Sequence, residues 1–132
     1  MNGRISLDTN IVIKLFKNDP HITKLLSSNT VICLPAPVAA ELLFAARNSA
    51  RQVENLKTYN EFIEACTVLN ITKETANQYS LIRLELKRKG MPIPENDLWI
   101  ASVCVEHKIP LITDDAHFDN IDGLKIEGRS PD

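Results

Sequence analysis

The stretch from Ile93 to Asp115, IPENDLWIASVCVEHKIPLITDD, predicts a buried helix followed directly by a buried strand, with an acid at each end. From Asp97, the residues three, four and seven positions on are all apolar, so we expect its carboxylate on the inward face of the helix. The apolar run Pro110–Thr113 then ends in Asp114 and Asp115. Ionised acids beside a core are costly unless they are paired, hydrogen-bonded or bound to a cation. Any fold for this chain must therefore neutralise them.

Short apolar runs recur along the chain and alternate with segments of helical spacing. The predicted strands are Arg4–Leu7, Thr30–Leu34, Thr67–Leu69, Pro110–Thr113 and Leu124–Ile126. Strands that are apolar throughout indicate a parallel sheet covered on both faces. The predicted fold class is therefore α/β, with a central parallel sheet of four to five short strands covered by helices on both faces. Residues 1–132 are expected to form one domain, with 128–132 as a loose tail.

The segments between these strands carry helical signals. Helices are predicted over Ile11–Phe16, from Pro20 to Leu26 with a break at 27–29, from Pro37 to Ala46, over Val53–Cys66, from Thr72 to Gly90, and from Asp97 onward. Thr72 is expected to cap the long helix at its start and Gly90 at its end. The basic run Arg83–Lys89 on that helix is best explained by the helix dipole and a solvated face.

Composition excludes several classes of protein. The chain is 44% hydrophobic and 24% charged, as in ordinary globular proteins, and its net charge of −2 provides no general attraction for nucleic acid. Three scattered cysteines without zinc-type spacing indicate reduced thiols that pack in the core. No signal-peptide pattern and no bilayer-length apolar stretch is visible, so a cytoplasmic protein without membrane contact is predicted.

Acids are predicted to converge at one edge of the sheet. Asp8 follows the first strand, and Asp114 and Asp115 follow the penultimate one. Glu41 lies one turn into the helix after the second strand, and Asp97 lies at the start of another helix. In parallel α/β sheets, sites form beyond the carboxyl ends of the strands, which is where all of these acids are expected.

Each acid also has a purely structural explanation. Asp8 could form an Asx turn, Asp97 could complement a helix dipole, and Asp114 or Asp115 could cap a short helical turn. For these acids, a structural role explains the sequence at least as well as a functional role does. Glu41 differs, because an acid in mid-helix has no capping role and no basic residue lies within helical reach in its apolar run. A functional role is favoured there over a buried ion pair.

Four carboxylates without an obligatory histidine or cysteine suit a hard divalent cation. Mg²⁺ and Mn²⁺ take oxygen ligands, keep several waters and are often completed by substrate phosphate. The matching chemistry is phosphodiester hydrolysis, in which a metal lowers the pKa of a bound water and stabilises the leaving oxygen. The sequence leaves open whether one or two ions bind.

The ordered blocks Leu7–Asn10, Glu41–Leu43, Asn96–Ala101 and Leu111–Asp115 resemble the PIN domain. The resemblance covers essentially the whole chain and is strongest to the VapC-type toxins of bacterial toxin–antitoxin pairs. It implies an RNA endonuclease that uses Mg²⁺ or Mn²⁺, a homodimer, and a cognate antitoxin protein that binds and blocks the site.

The resemblance also assigns roles by position. It makes Asp8, Glu41, Asp97 and Asp115 the metal ligands and catalytic acids, with Asn10 and Thr113 supporting the ligands or positioning water. Asp115 is favoured over Asp114 because family members usually place the acid two residues after this threonine. Spacing alone does not separate the two.

Other functions fit less well. A non-catalytic PIN-like module that docks a protein partner would be expected to lose the acids, which are intact here. A phosphoacceptor domain needs a lysine at a strand end that is absent, and the four glycines form no phosphate-binding loop.

A few further residues carry expectations of their own. His21, His107 and His117 are predicted at the surface, with His117 close enough to Asp115 to contact substrate. Trp99 is predicted in the core, and the helix over Val53–Cys66 is a candidate partner groove.

Overall fold

The computed structural model describes residues 3–26 and 30–129, and these contain a parallel sheet of five short strands. The strands are β1 (Arg4–Leu7), β2 (Val31–Pro35), β3 (Thr67–Leu69), β4 (Leu111–Ile112) and β5 (Ile126–Glu127). They are arranged in the order β3-β2-β1-β4-β5, and every neighbouring pair is parallel. The predicted α/β class with a central parallel sheet is confirmed.

Helices occupy most of the chain between the strands. They are α1 (Thr9–Phe16), α2 (Pro20–Leu25), α3 (Ala36–Arg47), α4 (Gln52–Ala65), α5 (Lys73–Lys89), α6 (Glu95–His107) and a 3₁₀ helix (Ala116–Asn120). The predicted break at 27–29 lies outside the described residues. Within the described ranges, none of the helices combines the length and apolarity needed to cross a bilayer.

Both faces of the sheet are covered. In β2, the consecutive residues Cys33 and Leu34 are fully buried, although neighbouring side chains of a strand point to opposite faces. Cys33 belongs to a small apolar cluster with Val103 and Ile109, whereas Leu34 belongs to the main core. β2 is therefore a mainly apolar run because it has to bury two faces rather than one.

The chain reverses its direction of travel across the sheet at β1. From β1 it moves outward through β2 to β3, and it then returns to place β4 on the other side of β1. Leu7 is in register with Ile112, and the amide of Asp8 donates to the carbonyl of Ile112 at 3.0 Å. The carboxyl ends of β1 and β4 thus meet at a topological switch point, where α/β sheets form their binding crevices.

Both ends of α5 lie where the sequence predicts them, at Thr72 and at Gly90. The Thr72 side chain accepts from the amide of Thr75, whose own hydroxyl accepts from the amide of Thr72. Gly90 ends the helix in the left-handed conformation, with a φ of 70°. Local chemistry alone therefore sets both ends of the longest helix in the described part of the chain.

Several boundaries differ from the sequence-based prediction. Helix α6 begins at Glu95, so Asp97 lies in the first turn rather than at its start. Helix α3 begins at Ala36, one residue before Pro37. β4 lacks Pro110 and Thr113, and β5 lies two residues later than predicted at its start. The ends of these short strands depend on which residues pair with the neighbouring strands, and a single sequence does not reveal that pairing.

Three further expectations need revision. Trp99 is only half-buried and stacks on Tyr79 with ring centroids 4.1 Å apart, so the predicted core position is wrong. Cys66 packs against the main core as predicted but is only half-buried, whereas the other two cysteines are buried. The predicted loose tail starts with a residue that is held in place, because the Gly128 carbonyl lies 3.0 Å from His21 Nε2. The remaining tail residues, 130–132, lie outside the described residues.

Candidate active site

Asp8 lies at the junction of β1 and α1 and is the most buried of the candidate acids, with 6% of its surface exposed. Its carboxylate caps α1 by accepting from the amide of Thr9 at 2.8 Å. Its other oxygen accepts from the Thr113 hydroxyl at 2.8 Å. Asp8 therefore has a structural role as the N-cap of α1, in place of the Asx turn considered from sequence, and this cap holds the acid at the switch point.

Thr113 links two of the candidate acids. It is fully buried just after β4, where it donates its hydroxyl proton to Asp8 and accepts from the amide of Asp115 at 3.0 Å. A threonine can do both because its hydroxyl is one donor and an acceptor. The chain beyond β4 is thereby fixed relative to the end of β1.

Glu41 approaches the same edge from α3. Its carboxylate accepts from the Thr9 hydroxyl at 2.6 Å, a contact between residues 32 positions apart. Glu41 is half-buried. Thr9 was not singled out from sequence, and the available signal was a hydroxyl residue directly after Asp8 at the start of a helix.

Asp97 and Asp115 come together around His117. Asp115 caps the 3₁₀ helix by accepting from the amide of His117 at 2.9 Å. The imidazole Nδ1 of His117 lies 3.2 Å from Asp97 Oδ2 and 3.1 Å from Asp115 Oδ1. One potential ligand atom from each of the three residues lies within 4.8 Å of the other two. Asp8 and Glu41 lie outside this compact group.

The other two predicted positions lie beside the group. Asn10 is exposed and lines an open cleft of about 420 Å³ together with Lys14, Asp114 and Asp115. Asp114 forms an ion pair with Lys14, whereas Asp115 contacts His117. The two neighbouring aspartates therefore have different surroundings, which the spacing in the sequence did not reveal. Lys14 was also missed, because a lysine on an otherwise apolar helix looks like an ordinary solvated residue.

The charges of neighbouring acids contribute to raised pKa values at Asp8 and Asp97. Burial, together with the charges of Asp97 and Glu41, raises the pKa of Asp8 from 3.8 to about 6 against the opposing hydrogen bonds from Thr113 and Thr9. Burial also raises the pKa of Asp97, and the charges of Asp115 and Glu41 add to that effect.

No lysine or arginine in 3–26 or 30–129 forms an ion pair with Asp8, Glu41, Asp97 or Asp115. Lysine or arginine is the usual partner of a buried carboxylate, so its absence leaves concentrated negative charge at the switch point. Oxygen donors grouped in this way match the preferences of a hard divalent cation.

Comparison with known proteins indicates the family of this chain. A PIN domain model matches residues 5–124. The tRNA(fMet)-specific endonuclease VapC of Salmonella typhimurium is 32% identical over 127 residues, which cover 94% of this chain and 96% of that protein. Ribonuclease VapC2 of Rickettsia felis is 29% identical over 126 residues. DNA-bound VapBC from Salmonella typhimurium superposes with a TM-score of 0.85 at 28% identity, over 96% of this chain and 98% of that one.

The chain therefore belongs to the PIN domain family. Within that family it is a VapC-type ribonuclease, the toxin component of a toxin–antitoxin system. The comparisons thus confirm the family and the enzymatic class predicted from the ordered acids. They support a ribonuclease rather than the alternative of a non-catalytic docking module.

Proposed function

We propose that this ribonuclease hydrolyses RNA phosphodiester bonds at the switch point between β1 and β4, with Asp8, Glu41, Asp97 and Asp115 holding Mg²⁺ or Mn²⁺. The observation that carries the proposal is the burial of Asp8 among other acids without a lysine or arginine partner. Such a carboxylate is stabilised most directly by a cation from solution.

The donor set fits such an ion. The four acids supply only carboxylate oxygens, which is the ligand type that Mg²⁺ and Mn²⁺ take in nucleases. When bound, the cation supplies positive charge to the phosphate and makes a water molecule a stronger acid.

The chain's own residues keep this donor set in place. Thr113 fixes Asp8 relative to the backbone of Asp115, and Thr9 fixes Glu41. Because each acid already has a hydrogen bond or a helix cap, little side-chain entropy remains to be lost when the ion binds. The threonines therefore act as positioning residues rather than as groups that contact the phosphate.

The cleft beside Asp115 is the proposed path of the RNA strand. Lys14 provides a cation at its wall, and its ion pair with Asp114 holds it there. Asn10 adds an exposed amide on the same wall that can donate to a phosphate or sugar oxygen. Phosphate contacts of this kind position a strand without selecting its sequence.

Transfer RNA is the first substrate class to test. One relative at 32% identity and another at 28% identity are both tRNA(fMet)-specific endonucleases. Single-stranded loops are the part of a folded RNA that an open cleft can reach, since their bases are not held in a helix. We propose a tRNA loop as the target and the cytoplasm as the place of action.

Two protein partners are proposed on the same basis. Structural relatives are VapBC assemblies, including VapBC2 of Rickettsia felis bound to a fragment of its promoter, at a TM-score of 0.84 and 27% identity. We propose a cognate antitoxin and a homodimer for this chain. The structure offers apolar surface for such contacts, since Val53 on α4 is 83% exposed and Phe44 on α3 is 68% exposed.

Cleavage of purified tRNA and of total RNA by antitoxin-free protein tests the proposal, with Mg²⁺, with Mn²⁺ and with chelator. The test variant is Asp97→Asn, and the matched control is Asp122→Asn, which changes an exposed aspartate that pairs with Lys89. We expect discrete metal-dependent fragments from wild type and the control, and a loss of about a hundredfold or more in Asp97→Asn. Equal cleavage in chelator, or by Asp97→Asn, would contradict the proposal.

A further inference from the structure

His117 is held against the candidate acids by its own turn of the chain. It is the second residue of the 3₁₀ helix, where its amide donates to the Asp115 carboxylate. The next residue, Phe118, is fully buried in the main core and anchors the turn. The imidazole is therefore placed beside Asp115 by local backbone geometry, even though half of its side chain, 51%, is exposed.

The separations between the polar atoms match those between neighbouring ligands of one ion. His117 Nδ1 lies 3.1 Å from Asp115 Oδ1 and 3.2 Å from Asp97 Oδ2. Around an octahedral ion with ligand distances of about 2.1 Å, neighbouring ligand atoms are roughly 3 Å apart. The His117 nitrogen is therefore already spaced from both carboxylates as a neighbouring ligand of one ion would be.

We infer that His117 is itself a ligand of the cation, through Nδ1, and that this nitrogen makes the site favour Mn²⁺ over Mg²⁺. The inference rests on the proposed function, because it adds a ligand to the proposed metal site. Imidazole nitrogen is a softer ligand than carboxylate oxygen, and transition-metal ions accept it more readily than Mg²⁺ does. The neutral ring with its proton on Nε2 leaves Nδ1 free to bind.

An ion pair is the competing role for the same contacts. A charged His117 would then neutralise Asp97 and Asp115 only while the site lacks metal, and it would leave when the ion binds. Because half of the His117 side chain is exposed to solvent, a pair of this kind contributes little to stability. The two roles differ in one measurable respect, which is whether a histidine nitrogen is bonded to the ion in the loaded protein.

Pulsed electron paramagnetic resonance of the Mn²⁺-loaded full chain tests this directly, because a bonded nitrogen modulates the electron spin echo. The chain has three histidines, so His117→Gln can be compared with His107→Gln and His21→Gln as matched controls. We expect nitrogen modulation in wild type and both controls, and its loss in His117→Gln. Titration should show Mn²⁺ binding weakened by about tenfold in His117→Gln, with Mg²⁺ binding changed by less than about threefold.

The outcomes separate this inference from the proposed function. Mn²⁺ binding that needs Asp97 but shows no nitrogen modulation would overturn the role of His117 and leave the carboxylate site intact. Nitrogen modulation that persists in His117→Gln would also overturn it. Failure of the wild type to bind Mn²⁺ at all would overturn both. Thermal unfolding of metal-free His117→Gln establishes that the variant is folded.

Discussion

Replacing Asp8 by asparagine should stabilise the metal-free protein. The carboxylate is 6% exposed, and its own site contains other acids but no lysine or arginine ion pair among the described residues. Asparagine has the same shape and can still cap α1 by accepting from the amide of Thr9. The substitution therefore removes a buried charge and keeps the packing.

The size of the effect follows from the pKa. A rise from 3.8 to about 6 means that ionised Asp8 costs the native state about 3 kcal/mol at neutral pH. Against this, asparagine places an amide NH₂ where Asp8 has the oxygen that accepts from Thr113, and the lost hydrogen bond costs about 1 kcal/mol. The net gain for Asp8→Asn is about 2 kcal/mol at pH 7.5, or roughly 5 to 10 °C in Tm for a chain of this length.

The stability gained by Asp8→Asn should decrease as pH falls. The native pKa of Asp8 lies above the unfolded value, so the native state binds more protons between about pH 4 and pH 6. The stability of the wild type therefore falls as pH rises through this window, and the full cost is present above about pH 7. The advantage of Asp8→Asn should shrink as pH falls and disappear near pH 4.

Urea unfolding in chelator, followed at several pH values from 4 to 8, measures this difference. Asp114→Asn is the matched control, because it changes an aspartate at the same edge that is paired with Lys14. The control should be neutral or slightly destabilised at neutral pH. If Asp8→Asn proved less stable than wild type at pH 7.5, or if its advantage grew on acidification, the electrostatic reasoning would be refuted.

Three further outcomes are expected. Saturating Mn²⁺ should raise the Tm of wild type and reverse its order with Asp8→Asn, as checked by thermal shift, since a ligand at 100 times its Kd adds about 2.7 kcal/mol. Thr113→Val should cost about 1 to 2 kcal/mol by urea unfolding and lower RNA cleavage by about tenfold or more, because it releases two acids that the hydroxyl links. Gly128→Ala should destabilise more than Gly123→Ala, because both have positive φ but only at Gly128 would a Cβ meet Leu25, at 2.6 Å.

The sequence was sufficient for the parts of the fold that local chemistry determines. Apolar runs marked the inner strands β2 and β4, because these strands bury both faces. Thr72 and Gly90 marked the ends of α5, because a capping hydroxyl and a left-handed residue are local requirements. The order of the acids along those elements then placed Asp8 and Asp115 at the same edge of the sheet.

Contacts between distant residues were harder to foresee. The hydrogen bond from Thr9 to Glu41 depends on how α1 lies against α3, which no local pattern encodes. His117 was expected near Asp115 because the two are close in sequence, but its contact with Asp97 depends on the docking of α6. Trp99 was assigned to the core by its size, but a partner on α5 lets it stack near the surface.

The position of β4 between β1 and β5 has a consequence for the timing of synthesis. The hydrogen bond that joins Thr113 to Asp8 links residues 105 positions apart. At about 5 to 20 residues per second, a ribosome needs roughly 5 to 20 seconds to travel from one to the other. During that interval the nascent chain holds β1, β2 and β3 but lacks the strand that brings Asp115 to the site. Under the proposed assignment, a growing toxin chain lacks one of its metal ligands until Asp115 has been synthesised, which gives a cell several seconds before each new copy needs to be restrained.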